Sequence, residues 1–126
     1  MTILTEGSRK ADFLVSEANG DRSRGVGIVT VPANTTEAAG TVMGQLTATD
    51  KFVRHAAGGA DGSENETAVL FENLVNETGA PVDYDVTLIM RDAEVNQKHL
   101  TYEVGADAAQ ETASNAALAA LGIVAR

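Results

Sequence analysis

The chain has 126 residues, of which 18 are acidic and nine basic, giving a formal net charge of −9; it has no cysteine and is 44% apolar. That length suits one domain with a single core. The charge raises the cost of approaching phosphates, so nucleic acid and anionic membrane are poor partners, and the missing thiols rule out a disulfide framework and a thiolate zinc site.

The core is expected to be thin, because 21 of the apolar residues are Ala and only 29 residues are Leu, Ile, Val or Phe. A thin core in a Gly-rich chain points to stabilisation by association, with copies of itself or with another protein. Met1 leads into TILTEGSRKADF without a basic segment followed by an apolar run, and no apolar stretch approaches the roughly 18 residues of a membrane span. The sequence therefore reads as that of a soluble protein with no export signal, and its Asn34, Asn65 and Asn76 N-x-T triplets read as turn chemistry.

Residues 1 to 25 hold only Ile3, Leu4, Phe13, Leu14 and Val15 as large apolar groups, without a sustained period, and are expected not to bury themselves. Arg22 and Arg24 would share a face of an extended chain, either solvated or set to pair with a partner's carboxylates or phosphates. The GVG at 25–27 lacks a third glycine and precedes a strand, so it is not a dinucleotide loop. GIVTVPA is the first periodic element, a strand stopped by Pro32, and NTTEAAG reads as a polar turn.

TVMGQLTATDKFVRH reads as a hairpin, with Thr41 to Thr47 outward, a turn at Thr49 and Asp50, and Lys51 to His55 returning; Gly44 marks a bulge or a close backbone approach. AAGGADGSENE is a loop by composition. TAVLFENLV and YDVTLIMR are the most apolar strands and are expected to form the centre of the sheet, joined through Gly79 and Pro81, with Val69, Phe71, Val86, Leu88 and Met90 facing the core. AEVNQKHLTYEV suits a short helix or a strand. Asp107 and Gln110 form a capping-box pattern and Gly122 a C-terminal stop, which predicts a helix over 108–121 with Ala113, Ala117, Leu118 and Leu121 buried. IVAR closes the chain as a short strand.

Candidate chemistry is sparse. His55 and His99 have no metal-ligand or nucleophile spacing and read as structural. Asp92 and Glu94 would share a strand face, and with His99 they are the only basis for a small acidic hydrolase or isomerase. Asp61, Ser63, Asn65 and Glu72 fall at calcium-loop positions 1, 3, 5 and 12, but Glu66 occupies the position that must be Gly. No catalytic residue, cofactor or metal is assigned. A non-enzymatic oligomeric adaptor or scaffold module is one reading that fits such a chain.

Five segments in order, SEANGDRSRG, AAGTVMGQLTATDKFVRH, ADGSE, MRDAEVN and AALAALGIVAR, resemble the lambda-type bacteriophage head decoration proteins over nearly the whole chain. The resemblance implies a mainly β fold with minor α, a small bent-ribbon, β-clip-like domain with one C-terminal helix and an extended N-terminal arm. It further implies a non-enzymatic homotrimer, made in the bacterial host cytoplasm, that binds the major capsid protein at local three-fold positions on the outer capsid surface and cements the expanded shell. On that basis residues 1–25 are expected to be a capsid-docking arm and 26–126 the decoration domain. The expected contacts are Phe13, Leu14, Val15, Ser16, Glu17, Ala18, Asn19, Gly20, Arg22, Ser23 and Arg24. Within that arm Phe13 and Val15 would anchor on one face and Leu14 on the other, Arg22 and Arg24 would pair with coat carboxylates, and Asn19 and Gly20 would form the hinge.

Overall fold

The computed structural model describes residue 3 and residues 9–126. Ten strands, a 3₁₀ turn and one helix follow in order: β1 (Leu14–Glu17), β2 (Arg24–Val31), β3 (Thr35–Glu37), β4 (Val42–Gln45), β5 (Phe52–Arg54), β6 (Glu66–Leu70), β7 (Leu74–Asn76), β8 (Val82–Ile89), β9 (Ala93–Val95), the 3₁₀ turn Gln97–His99, α1 (Ala108–Ala120) and β10 (Ile123–Ala125). The domain is mainly β with a single C-terminal helix, as the sequence leads one to expect.

The sheet closes on itself. β2, β5, β4, β6 and β8 form a barrel, a three-stranded sheet runs β1-β9-β10, and β3 pairs with β7. The longest ladder is antiparallel, from Arg24↔Ile89 to Val31↔Val82, and a parallel contact at Val29↔Phe52 joins β2 to β5. Closure leaves the barrel strands no open edge, which a flat sheet of this size would expose.

The expected hairpin forms, with β4 against β5 and Asp50 at φ +58° in its turn. Gly44 shows both anticipated features. The β4–β6 register shifts between Met43 and Gly44, and a Cβ at position 44 would stand 2.6 Å from Ser63 O. NTTEAAG is more than a turn, because Thr35–Glu37 pairs with Leu74–Asn76 as a small second layer. Asn76 supports it from within. Its amide nitrogen donates to Val31 O, Pro32 O and Ala80 O, and its Oδ1 accepts from the Thr78 N–H at 2.9 Å, so this triplet is turn chemistry.

β6 and β8 are central but bury both faces. Leu70, Val86 and Leu88 fill the barrel with Val29, Val31, Met43, Phe52, Ala68 and Leu74. Val69, Phe71 and Ile89 face outward into a second cluster with Phe13, Val42, Val95, Leu100, Tyr102, Leu118 and Ile123. The expected single core face is therefore split, Val69 and Phe71 going to one cluster and Val86 and Leu88 to the other. Met90 is only partly buried. Two-sided burial is what a near-continuous apolar run such as AVLF encodes.

The helix runs as expected, with Asp107 and Gln110 forming a capping box and Gly122 at φ +83° after its end. Its buried face is narrower than the expected stripe: Ser114 and Leu118 are buried, whereas Ala113 and Leu121 are exposed. A polar bond replaces apolar width. Ser114 Oγ donates to Glu66 Oε1 at 2.7 Å, and Tyr102 Oη donates to Asn115 Oδ1 at 2.6 Å.

Candidate docking surface

β9 is the middle strand of the outer sheet, antiparallel to β1 and parallel to β10, so the first and last strands flank it. The outer edges of β1 and β10 have no strand partner among the described residues. The expectation that nothing before residue 25 buries itself is corrected here. Phe13 is fully buried, its ring edge-on to Phe71 with centroids 6.4 Å apart. Burial of a side chain this size contributes about 1.5–3 kcal/mol, so the body itself supplies its partner.

The β1–β9 register shifts between Leu14 and Ser16, which leaves Val15 as the extra residue. Such a bulge breaks the alternation that would put Phe13 and Val15 on one face. Phe13 turns inward, Leu14 packs at the edge of the outer cluster, and Val15 is 55% exposed. Ser16 Oγ donates to Glu94 Oε2 at 3.0 Å, and Arg126 Nε donates to Glu94 Oε1 at 2.9 Å, tying β1 and Arg126 to one carboxylate. Those two contacts, Ser16 first, hold the Glu94 carboxyl below the usual carboxylate range.

The segment between β1 and β2 is a fastened turn. Ser23 is buried; its Oγ donates to Asp92 O at 2.7 Å and accepts from the Ala18 N–H at 2.9 Å. Gly20 takes φ +68°, consistent with a turn at Asn19 and Gly20. Arg24 grips Glu17 through two bonds, Nε to Oε2 at 2.9 Å and Nη2 to Oε1 at 2.6 Å, and lies 4.5 Å from the Phe71 ring centroid. This fork lowers the Glu17 pKa. Arg24 is thus paired within the chain, with its side chain 35% exposed. Arg22 remains the accessible cation of the pair: its side chain is 72% exposed and 3.0 Å from Asp92.

Of the expected contact residues, then, Val15, Ser16, Asn19, Gly20 and Arg22 are exposed. Phe13 and Ser23 are buried, and Leu14, Glu17, Ala18 and Arg24 lie between these extremes and brace the others. The part of the expected arm at residues 1, 2 and 4–8 lies outside the described residues.

The remaining sequence candidates do not converge. Asp92 faces Arg22 and Glu94 faces Ser16 and Arg126, while His99 is exposed on the 3₁₀ turn. Asp61 Oδ1 accepts from the Ser63 N–H and Oγ, a local turn that lowers the Asp61 pKa, while Glu72 pairs with Lys10 instead of closing the loop. Among the described residues no three His, Cys, Asp or Glu side chains gather to hold a metal. Nor is any helix there long and apolar enough to cross a membrane. What the sequence reading missed is Glu37, buried on β3 beside His55 in a cavity wall. Its signal was faint, a single acidic residue closing the Thr-Thr-Glu of a three-residue strand.

A small closed barrel flanked by a three-stranded sheet in which β9 lies between β1 and β10, with one C-terminal helix, defines the class of small, mainly β domains. Within that class, the chain belongs to the bacteriophage lambda head decoration protein D family, whose model matches residues 3–123. Membership makes it a phage structural protein associated with the virion capsid. No curated protein matches the chain.

Proposed function

We propose that the protein binds the outside of the expanded phage head as a homotrimer at local three-fold positions and stabilises the shell against internal DNA pressure, without covalent chemistry. The single observation that carries this reading is the family match across residues 3–123. The major capsid protein of the same phage is the proposed partner, with synthesis in the host cytoplasm before assembly.

Docking runs through the flank that carries β1 and the turn after it. The unpaired outer edge of β1 supports strand addition, in which main-chain hydrogen bonds attach a partner strand and alternate side chains select it. Val15 and Arg22 supply the exposed apolar and cationic contacts, with Ser16, Asn19 and Gly20 between them. Phe13, Leu14, Glu17, Ala18, Ser23 and Arg24 hold this surface in shape. Three such surfaces on one trimer multiply a weak single contact. A ligand that recognises only the expanded lattice stabilises that state over its precursor.

The test is addition of purified protein to expanded and unexpanded heads, with bound copies counted and mass measured in solution. A trimer that saturates expanded heads at a copy number comparable to the coat protein supports the reading. Equal binding to both head forms, or none to either, contradicts it.

A further inference from the structure

Only two positions in the sequence set a glycine after an asparagine or aspartate, Asn19–Gly20 and Asp61–Gly62. The pairing has chemical consequences. Glycine has no Cβ to crowd its nitrogen, so that nitrogen can reach Cγ of the preceding side chain and close a five-membered ring. Whether it does so depends on how the fold holds the two groups, and here the two sites differ.

At Asp61–Gly62 each reacting part is held. Gly62 is buried, its N–H donates to Glu64 Oε2 at 2.9 Å, and a Cβ built on it would run into Gln45 O. Asp61 Oδ1 accepts from the Ser63 hydroxyl at 2.6 Å and from its N–H at 3.2 Å, bonds that favour the carboxylate, which is a poor electrophile. Asn19–Gly20 has no such restraints. Both residues are exposed, a Cβ on Gly20 would meet no atom within 4 Å, and neither the Asn19 amide nor the Gly20 N–H has a hydrogen bond among the described residues. The bonds that fasten this turn lie to either side: the Ala18 N–H reaches Ser23 Oγ, Asp21 O accepts from the Arg24 N–H at 3.1 Å, and Arg22 O accepts from Arg91 Nη1 at 2.7 Å. The other asparagines precede residues with side chains, and Asn76, Asn96 and Asn115 also have their amides bonded.

We propose that Asn19 is a site of covalent modification, deamidating through a cyclic imide to aspartate and isoaspartate. The Gly20 nitrogen gives up its proton and bonds to Asn19 Cγ; the Cγ–Nδ2 bond breaks and the nitrogen leaves with a proton as ammonia. Water then adds to one ring carbonyl. Opening at Cγ gives aspartate, and opening at the main-chain carbonyl gives isoaspartate, whose main chain runs through Cβ. Nothing is oxidised or reduced, and water is the one co-reactant. Either product carries a carboxylate that is ionised at neutral pH, near Arg22, and isoaspartate lengthens a turn whose ends are pinned through Ser23. Asn19 and Arg22 belong to the proposed docking surface, so the modified protein should bind expanded heads less well. That consequence rests on the proposed function; the modification does not.

The experiment has two arms. In the first, the full protein is kept folded at mildly alkaline pH, sampled over time and mapped by peptide mass spectrometry with fragmentation that separates aspartate from isoaspartate. A gain of one mass unit at Asn19, at least ten-fold faster than any change at Asp61 or another asparagine and slowed at least ten-fold in Asn19→Gln and in Gly20→Ala, supports the site. No gain at Asn19, a gain shared equally with the other asparagines, or one that Gly20→Ala leaves unchanged overturns it. In the second arm fresh wild type, aged wild type and Asn19→Asp are added to expanded heads. Binding several-fold weaker for the aged protein and for Asn19→Asp supports the effect on docking, and unchanged binding overturns that effect. Failure of fresh wild type to bind heads removes the capsid reading, while the first arm still decides the modification.

Discussion

The two hydrophobic clusters share strands β6 and β8 but are assembled from different parts of the chain. The barrel interior draws on residues 29 to 88, the outer cluster on residues 13 to 123, so its cover includes residues beside the first and last strands. The inner cluster is a matter of strand pairing. The outer one requires Phe13, Leu118 and Ile123, distant in sequence, to arrive on the reverse face of the same two strands. The lesson is that the flank carrying the proposed docking surface is also the lid of the outer core, so binding and stability are written on opposite faces of one short strand.

That comparison breaks most sharply at Phe13. Phe13→Ala should cost about 3–5 kcal/mol, as Leu88→Ala should cost about 2–5, by denaturant unfolding. Both variants are expected to unfold in one transition, because the clusters share β6 and β8. Two resolved transitions in Phe13→Ala would show that the flank and the barrel are separate cooperative units.

Next in size is Asn76→Ala, which strands the buried acceptors Val31 O and Pro32 O beneath the β3–β7 layer. A loss of about 2–3 kcal/mol is expected, and the same equilibrium unfolding measures it. Glu37→Gln should go the other way, raising stability at neutral pH by about 1 kcal/mol, because an amide avoids burying a charge without a partner. Burial raises the Glu37 pKa, with Arg54 opposing more weakly. Its contribution is therefore greatest below the ordinary value of 4.5 and declines as pH rises through the raised folded value, so the advantage of Glu37→Gln should widen with pH. Melting temperatures across that range check the sign.

Arg24→Met should cost at most about 1 kcal/mol, since the Glu17 fork is partly exposed and screened. The Glu17 pKa is lowered, so the stability it contributes is present above 4.5 and lost as pH falls through the depressed value. Arg24→Met should accordingly lose less stability than wild type on acidification. The smallest effect on folding is Val15→Ser, within about 0.5 kcal/mol, with a measurable loss of affinity for expanded heads.

How far the sequence speaks follows the same division. The alternation in GIVTV, the turn at Asp50 and the Asp107–Gln110 box are local, and each marks its element. The AVLF run indicates burial on two sides, but nothing nearby says that Phe13 and Ile123 supply the second side. Phe13 and Val15 stand two apart and invite a single face; only the pairing with β9, and the bulge it contains, separates them. Arg24 likewise resembles a free cation until the turn at Gly20 brings Glu17 back beside it. The cavity was less legible still, since Glu37, His55 and Glu103 come from three separate stretches of the chain.

The central claim is that the exposed side of the β1 flank attaches this protein to the expanded head. The most direct measurement is the occupancy of expanded heads, by cryo-electron microscopy, for wild type and for Val15→Asp combined with Arg22→Ala, after both are shown to share the same unfolding midpoint. Full occupancy at local three-fold positions for wild type and little or none for the double variant is the predicted result. Equal occupancy by both would place the docking surface elsewhere.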